Sequence, residues 1–184
     1  MTVFLSEGTT RQRGKVKYRD GYVRLKGRRL HYVDYGGLGE VVVALHGYVQ
    51  NAHAFDGIAP ALVPHVRLLA LDMRGRGESD RGPRGCYRLT HYLRDLREFL
   101  DALGLSRFAL IGTSMGGTLA LLFSIAHPLA VTRLILNDVT VKPNRAGVVR
   151  ASHRYGRAPG KFFTMQDALA WFLHRGRSTR VDGV

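Results

Sequence analysis

The sequence predicts an α/β fold: a mainly parallel sheet, opened by an antiparallel hairpin and covered by helices on both faces. Three observations predict it. Uninterrupted apolar runs, EVVVALHG (Glu40 to Gly47), VRLLALD (Val66 to Asp72), SRFALIG (Ser106 to Gly112) and TRLILND (Thr132 to Asp138), suit strands buried on both sides. Helical patterns fill the intervals between them, giving the alternation of a βαβ succession. Ahead of them, YVRLKGRRLHYVDYG alternates like two strands that turn back at Lys26-Gly27, where the glycine supplies the turn.

Each helical interval has its own local reason. Residues Ala52 to Val63 fit a helix. Thr90 is placed to cap a second helix, whose Leu93, Leu96, Leu100 and Leu103 recur at offsets of three and four before Gly104 closes it. Met115 to Ala126 is a third, ended by His127-Pro128. Beyond Asp138 no strand-like run of comparable strength appears. Instead VKPNRAGVVRASHRYGRAPGKFF leads to TMQDALAWFLHRG, where Thr164 and Asp167 resemble a capping arrangement, and the final RGRSTRVDGV reads as a loose polar tail.

The carboxyl edge of such a sheet collects the residues that carry chemistry. Gly112-Thr113-Ser114-Met115-Gly116 is a G-x-S-x-G pentapeptide between an apolar strand and an apolar helix. A serine at so sharp a turn sits in a strained backbone conformation, and the residues two positions away must be tiny for strand and helix to pass. Gly112 and Gly116 meet that need, and Gly117 adds room. The Met115 N–H then opens a helix and is aimed at an oxyanion. Leu45-His46-Gly47-Tyr48 ends a neighbouring strand on the same edge, so that Gly47 lets the backbone expose the Tyr48 N–H as a second oxyanion donor. His46, placed before the glycine, suits a structural histidine bonded to neighbouring loops rather than a catalytic base. Asp72-Met73-Arg74-Gly75-Arg76-Gly77-Glu78-Ser79-Asp80 holds Gly-x-Gly but lacks the third glycine of a dinucleotide fingerprint and the Gly-Lys-Ser/Thr of a phosphate loop. It reads as a demanding loop that shapes the site, and no cofactor is expected.

At these motifs the sequence resembles the α/β-hydrolase fold family, in its serine-nucleophile, esterase- and lipase-like branch, from about Tyr22 to Phe172. The resemblance rests on the hairpin, on HGY, DMRGRGESD, GTSMGG and LNDV, and on YGRAPGKFFTMQDALAWF, which is similar to the start of the family's cap. It implies ester hydrolysis through an acyl-enzyme at Ser114, with Tyr48 and Met115 holding the oxyanion and a small-molecule ester as substrate. A serine at position 114 disfavours the family members that attack with a carboxylate, the dehalogenases and epoxide hydrolases. The family's order of Ser, then Asp/Glu, then His leaves Asp138, Asp167 and Asp182 as acids after Ser114, and His127, His153 and His174 as histidines. Asp138 lies on the correct edge and is the candidate acid. His127 is about 18 Å away at the far end of its helix, and His153 and His174 fall on the cap-like segment without occupying the family's histidine position. The expectation is therefore a partial core over 21–140, preceded by a basic extension over 1–20 and followed by the start of a cap and a tail over 141–184. It is a family fold truncated within the cap, with an incomplete triad. Its strand Leu134-Ile135-Leu136 is expected at an exposed apolar edge.

Bulk properties narrow the alternatives. The chain has 184 residues, 45% apolar and 23% charged, which fits one globular domain. No membrane span or secretory layout is read in it, so a cytoplasmic protein is expected. Cys86 stands alone, which excludes an internal disulfide and a thiolate metal cage; no metal site is expected. The net charge of +14 concentrates at the ends: nine Lys/Arg fall within residues 1–30 and nine within 141–184, each set against two acids. Without aromatic interleaving or a nucleic-acid-binding motif, that charge reads as a solvated arginine-rich surface rather than specific nucleic-acid recognition. The alternative function is a catalytically inactive hydrolase remnant, or a basic interaction protein that binds polyanions. Oligomeric state is not legible.

Overall fold

The structure is a computed structural model that describes residues 9–139. Its strands are β1 (Arg11–Arg13), β2 (Val16–Leu25), β3 (Arg28–Gly36), β4 (Val41–Leu45), β5 (Arg67–Leu71), β6 (Phe108–Thr113) and β7 (Val131–Asn137). The helices are α1 (Ala59–Leu62), α2 (Leu89–Ala102) and α3 (Met115–Ala126), with a 3₁₀ turn at Ala52–Phe55. The cap-like segment, with His153 and His174, lies outside the described residues.

The sheet order is β1-β2-β3-β5-β4-β6-β7. The first three strands and β5 meet antiparallel, whereas β5, β4, β6 and β7 run parallel. The predicted hairpin is present, with Leu25 opposite Arg28 around the Lys26-Gly27 turn. Its first strand begins earlier than the alternation from Tyr22 suggests, because Val16 and Asp20 also point inward and are buried.

The apolar runs are explained by burial on both faces. On β4, Val43 and Leu45 join the core shared with α2 and α3, while Val42 and Ala44 join the opposite core with Ala52, Phe55 and Ala59. Helix α2 lays Tyr92, Leu96, Phe99 and Leu100 onto the first of these cores. Burying each such side chain contributes roughly 1.5–3 kcal/mol.

Two local expectations need correction. Residues 52–63 do not form one helix: the 3₁₀ turn stops at Phe55, and α1 is a single turn with Pro60 inside its start. Proline has no N–H to give to a carbonyl one turn earlier, so it can open a helix but not continue one. Thr90 is not the cap of α2. The Arg88 carbonyl already accepts the N–H groups of His91 at 2.9 Å and Tyr92 at 3.3 Å, so Arg88 is the cap and Thr90 lies in the first turn. Gly104 does close that helix, at φ +66° with open space where a Cβ would be. Gly104→Ala is therefore expected to cost about 1–2 kcal/mol from backbone conformation alone, measurable as a lower urea midpoint with an unchanged slope.

The strand order positions the site. The chain leaves β4 toward β5 on one side, then crosses back over it through α2 to β6 on the other side. The connection after β4 packs on one face of the sheet and α3 on the opposite face. Loops that part in this way open a crevice at the carboxyl ends of β4 and β6. Among the described residues the sheet ends at β7, where Ile135 is 54% and Leu136 is 37% exposed, the apolar edge that the sequence predicts. No described helix is long and apolar enough to cross a membrane.

Candidate active site

Ser114 stands between β6 and α3 at φ +52° and ψ −116°, backbone values that a residue with a side chain rarely adopts. The turn is held from both sides. The Ser114 N–H donates to the Asn137 carbonyl at 2.9 Å, and the Ser114 carbonyl accepts the Thr118 N–H at 3.0 Å. The flanking glycines are required by close approach. A Cβ on Gly116 would lie 2.1 Å from the Leu45 carbonyl oxygen, and one on Gly112 would lie 2.5 Å from both the Gly116 carbonyl oxygen and the Gly117 Cα. Helix α3 therefore starts directly against the end of β4.

The loop after β4 meets the same place. A Cβ on Gly47 would lie 3.6 Å from Ser114 Cβ and 2.8 Å from Gln50 Oε1. Gln50 folds over this loop, its Oε1 accepting the Gly47 N–H at 2.9 Å. Arg76 reaches across from the loop after β5, donating from Nε to the Tyr48 carbonyl at 2.6 Å with its guanidinium 4.8 Å from the Tyr48 ring centre. Tyr48 is half-exposed at the rim. Met115 is the first residue of α3, so no carbonyl within the helix lies one turn before its N–H.

His46 is fully buried. Its Nδ1 donates to the Gly47 carbonyl at 2.7 Å, and its Nε2 accepts the Met73 N–H at 3.1 Å. Burial disfavours the imidazolium and holds its pKa below the ordinary histidine value, so the ring is neutral with both nitrogens engaged. It ties the loops after β4 and β5 together. Asp138 follows β7 directly, one residue beyond the carbonyl that binds Ser114, and is exposed at φ +54°. His127 sits at the opposite end of α3, its ring 4.4 Å from that of Phe123. Among the described residues no histidine hydrogen bonds to Ser114, and no group of three or more His, Cys, Asp or Glu side chains converges as a metal site.

Sequence reasoning missed Gln50, Arg76 and the buried neighbours of Asp72. Asp72 Oδ1 accepts the Ala52 N–H at 2.6 Å and Oδ2 accepts the Glu78 N–H at 2.9 Å, joining both loops of the site. An acid at the carboxyl end of an apolar strand was the available signal. Nothing local shows which loop it binds.

The model of the α/β hydrolase fold matches residues 40–172. Among curated proteins, the chain is 39% identical over 101 residues to a serine hydrolase-like protein of Danio rerio, covering 54% of this chain and 31% of that protein. It is 38% identical over 120 residues to epoxide hydrolase 4 of Homo sapiens, covering 62% and 33% respectively. The chain thus spans about a third of the length of these curated relatives. Among solved structures, an α/β hydrolase from Novosphingobium aromaticivorans superposes with a TM-score of 0.74 at 35% identity, over 78% of this chain and 52% of that one.

Proposed function

The chain belongs to the α/β-hydrolase fold family, and from that premise we propose that it is the nucleophile-bearing part of a hydrolase that cleaves carboxylic esters of small molecules through Ser114. The observation that carries this reading is the strained, glycine-flanked turn that sets Ser114 at the crevice beside Gly47. Some relatives are epoxide hydrolases. The serine at position 114 favours acyl chemistry over attack by a carboxylate.

In the proposed reaction Ser114 Oγ attacks the ester carbonyl carbon while its proton passes to a base. The N–H groups of Tyr48 and Met115 hold the oxyanion, and the positive end of α3 adds to their effect. Collapse of the tetrahedral intermediate breaks the bond to the leaving alcohol, which takes the proton from the base. Water then repeats the sequence on the acyl-enzyme and releases the acid. Asp138 is the candidate that orients and balances the base. On this reading the base comes from outside residues 9–139, because His31, His46, His53 and His91 are engaged elsewhere, His65 precedes β5 at the amino edge of the sheet, and His127 lies at the far end of α3.

A fluorophosphonate probe tests the proposal, since it reacts with a serine activated in this way. Incubation of the full chain is expected to add one phosphonyl group, located by mass spectrometry on the peptide holding Ser114 and absent from Ser114→Ala. Folded protein that stays unlabelled at Ser114 would overturn the reading and favour a hydrolase fold without catalysis.

A further inference from the structure

A buried charge cluster lies beneath the loops of the site. His31, in the middle of β3, is only 1% exposed. Its Nδ1 lies 2.8 Å from Asp72 Oδ2 and its Nε2 lies 3.0 Å from Asp20 Oδ1. A neutral imidazole has one N–H and one lone pair, so one of these contacts would set a lone pair against a carboxylate oxygen. Only the imidazolium donates to both. Asp72 in turn accepts the Ala52 N–H, where the loop after β4 ends, and the Glu78 N–H in the loop that carries Arg76. Ser79 closes the arrangement: its Oγ accepts the His31 N–H at 2.8 Å and donates to the Asp72 carbonyl at 2.6 Å.

We propose that His31 is held as an imidazolium and acts as a positioning residue, fixing Asp72 as the acceptor that locks the loop after β5 to the loop after β4 that lies beside Ser114. The lock is a property of the fold, and only its consequence for hydrolysis rests on the reading of Ser114 as nucleophile. The charge balance around the ring supports it from every side. Strand β2 presents Asp20 and Tyr22, the latter with its ring centre 4.9 Å from that of His31. Arg11 of β1 lies 3.0 Å from Asp20 Oδ2, and Arg29 of β3 lies over the Tyr22 ring at 4.5 Å. Glu78 accepts the Tyr22 hydroxyl, whose pKa is pushed up to about 12 by burial and by that carboxylate. With Tyr22 neutral, the ring faces three carboxylates, Asp20, Asp72 and Glu78.

Burial opposes the imidazolium, but its hydrogen bonds to Asp72 and Asp20 outweigh burial and raise its pKa above the ordinary value of 6.5. For Asp72, burial opposes ionisation, yet the hydrogen bonds from His31, Ala52 and Glu78 leave its pKa below the usual carboxylate value. The signs set the window. The His31 contribution is complete below the ordinary histidine pKa and is lost as pH rises through the raised one. The Asp72 contribution is present above the unfolded carboxylate pKa and is lost as pH falls through the lowered one. The lock is therefore closed at intermediate pH and opens on the alkaline side by loss of the His31 proton.

Nitrogen-15 NMR of the full chain tests this without any turnover. Protons are expected on both ring nitrogens of His31 at neutral pH, with the Ala52 and Glu78 amide resonances shifting on its alkaline titration at the same midpoint. Asp20→Asn, which keeps an acceptor and removes one charge, is expected to lower the proton affinity of His31 about tenfold or more. An unprotonated ring nitrogen at neutral pH, or loop amides unmoved across the titration, would overturn the proposal, and the wild-type measurement decides it even where the variant does not fold. Failure of fluorophosphonate labelling would leave this result standing, so the two readings fail separately.

Discussion

Glycine in place of Ser114 is expected to make the protein more stable while removing the proposed hydrolysis. At φ +52° and ψ −116° a side chain at this position costs about 1–3 kcal/mol of backbone strain. Glycine removes that strain and returns roughly 0.5–1 kcal/mol as greater freedom of the unfolded chain. The net gain, roughly 0–2.5 kcal/mol and about 1 kcal/mol at its centre, corresponds to a rise of roughly 2–4 °C per kcal/mol for a chain of this size. Loss of the nucleophile removes the turnover that depends on Ser114, by a factor on the order of 10⁴ or more where the base is in place. Thermal unfolding and ester hydrolysis measured on Ser114, Ser114→Ala and Ser114→Gly proteins separate the contributions. Alanine keeps the strain and loses the oxygen, so it should lose activity without the gain. A melting temperature for Ser114→Gly below that of the native chain would mean that side-chain contacts outweigh the strain.

The second large effect is structural. Asp95 is 3% exposed and takes both Nε and Nη2 of Arg74, itself 2% exposed, while Arg28 also reaches it through Nη2. Arg74 completes its donors on the Cys86 carbonyl at 2.8 Å and the His91 carbonyl at 3.2 Å. Burial works against the guanidinium charge, and the paired carboxylate more than compensates. Asp95→Ala would leave that charge buried and unpaired, a loss expected to reach about 3–5 kcal/mol. Urea unfolding reads it directly. Asp95→Asn retains an acceptor without the charge and should fall between the two, and a loss below about 1 kcal/mol for the alanine variant would show that Arg74 finds water instead. The loop from Asp72 to Asp80 is anchored through this pair to α2, so the same variant should also loosen the Arg76 contact with Tyr48.

Much of the fold could be read along the chain because its causes are local. Apolar runs of five to seven residues report strands covered on both faces, as Val42 and Val43 do by entering opposite cores. The spacing of Leu93, Leu96, Leu100 and Leu103 reports α2, whose buried stripe takes in Leu96 and Leu100 together with Tyr92 and Phe99 and leaves Leu93 and Leu103 partly buried at its edges. The interrupted helix at 52–62 was misread because apolar spacing does not register the missing N–H of Pro60. Within the site, Ser114 and its glycines stand in one short segment, where the steric demand of the turn appears directly as residue type.

The partners of the site were not legible for the opposite reason. His31 and Asp72 are 41 positions apart, Arg76 and the Tyr48 carbonyl are 28 apart, and Arg74 and Asp95 are 21 apart. Periodicity tells which face a side chain takes but not which strand lies beside it. The sequence by itself determined the α/β class, the opening hairpin, the four apolar strands with α2 and α3 among them, and the sharp turn at Ser114, because each follows from burial and sterics within a few residues. Tertiary structure alone decided that β4 lies between β5 and β6. That placement brings Gly47 against Ser114 and commits His46 to the backbone of two loops, while the placement of β3 between β2 and β5 encloses His31 between two carboxylates, since strand order and charge pairing are settled only when distant segments compete for the same buried space.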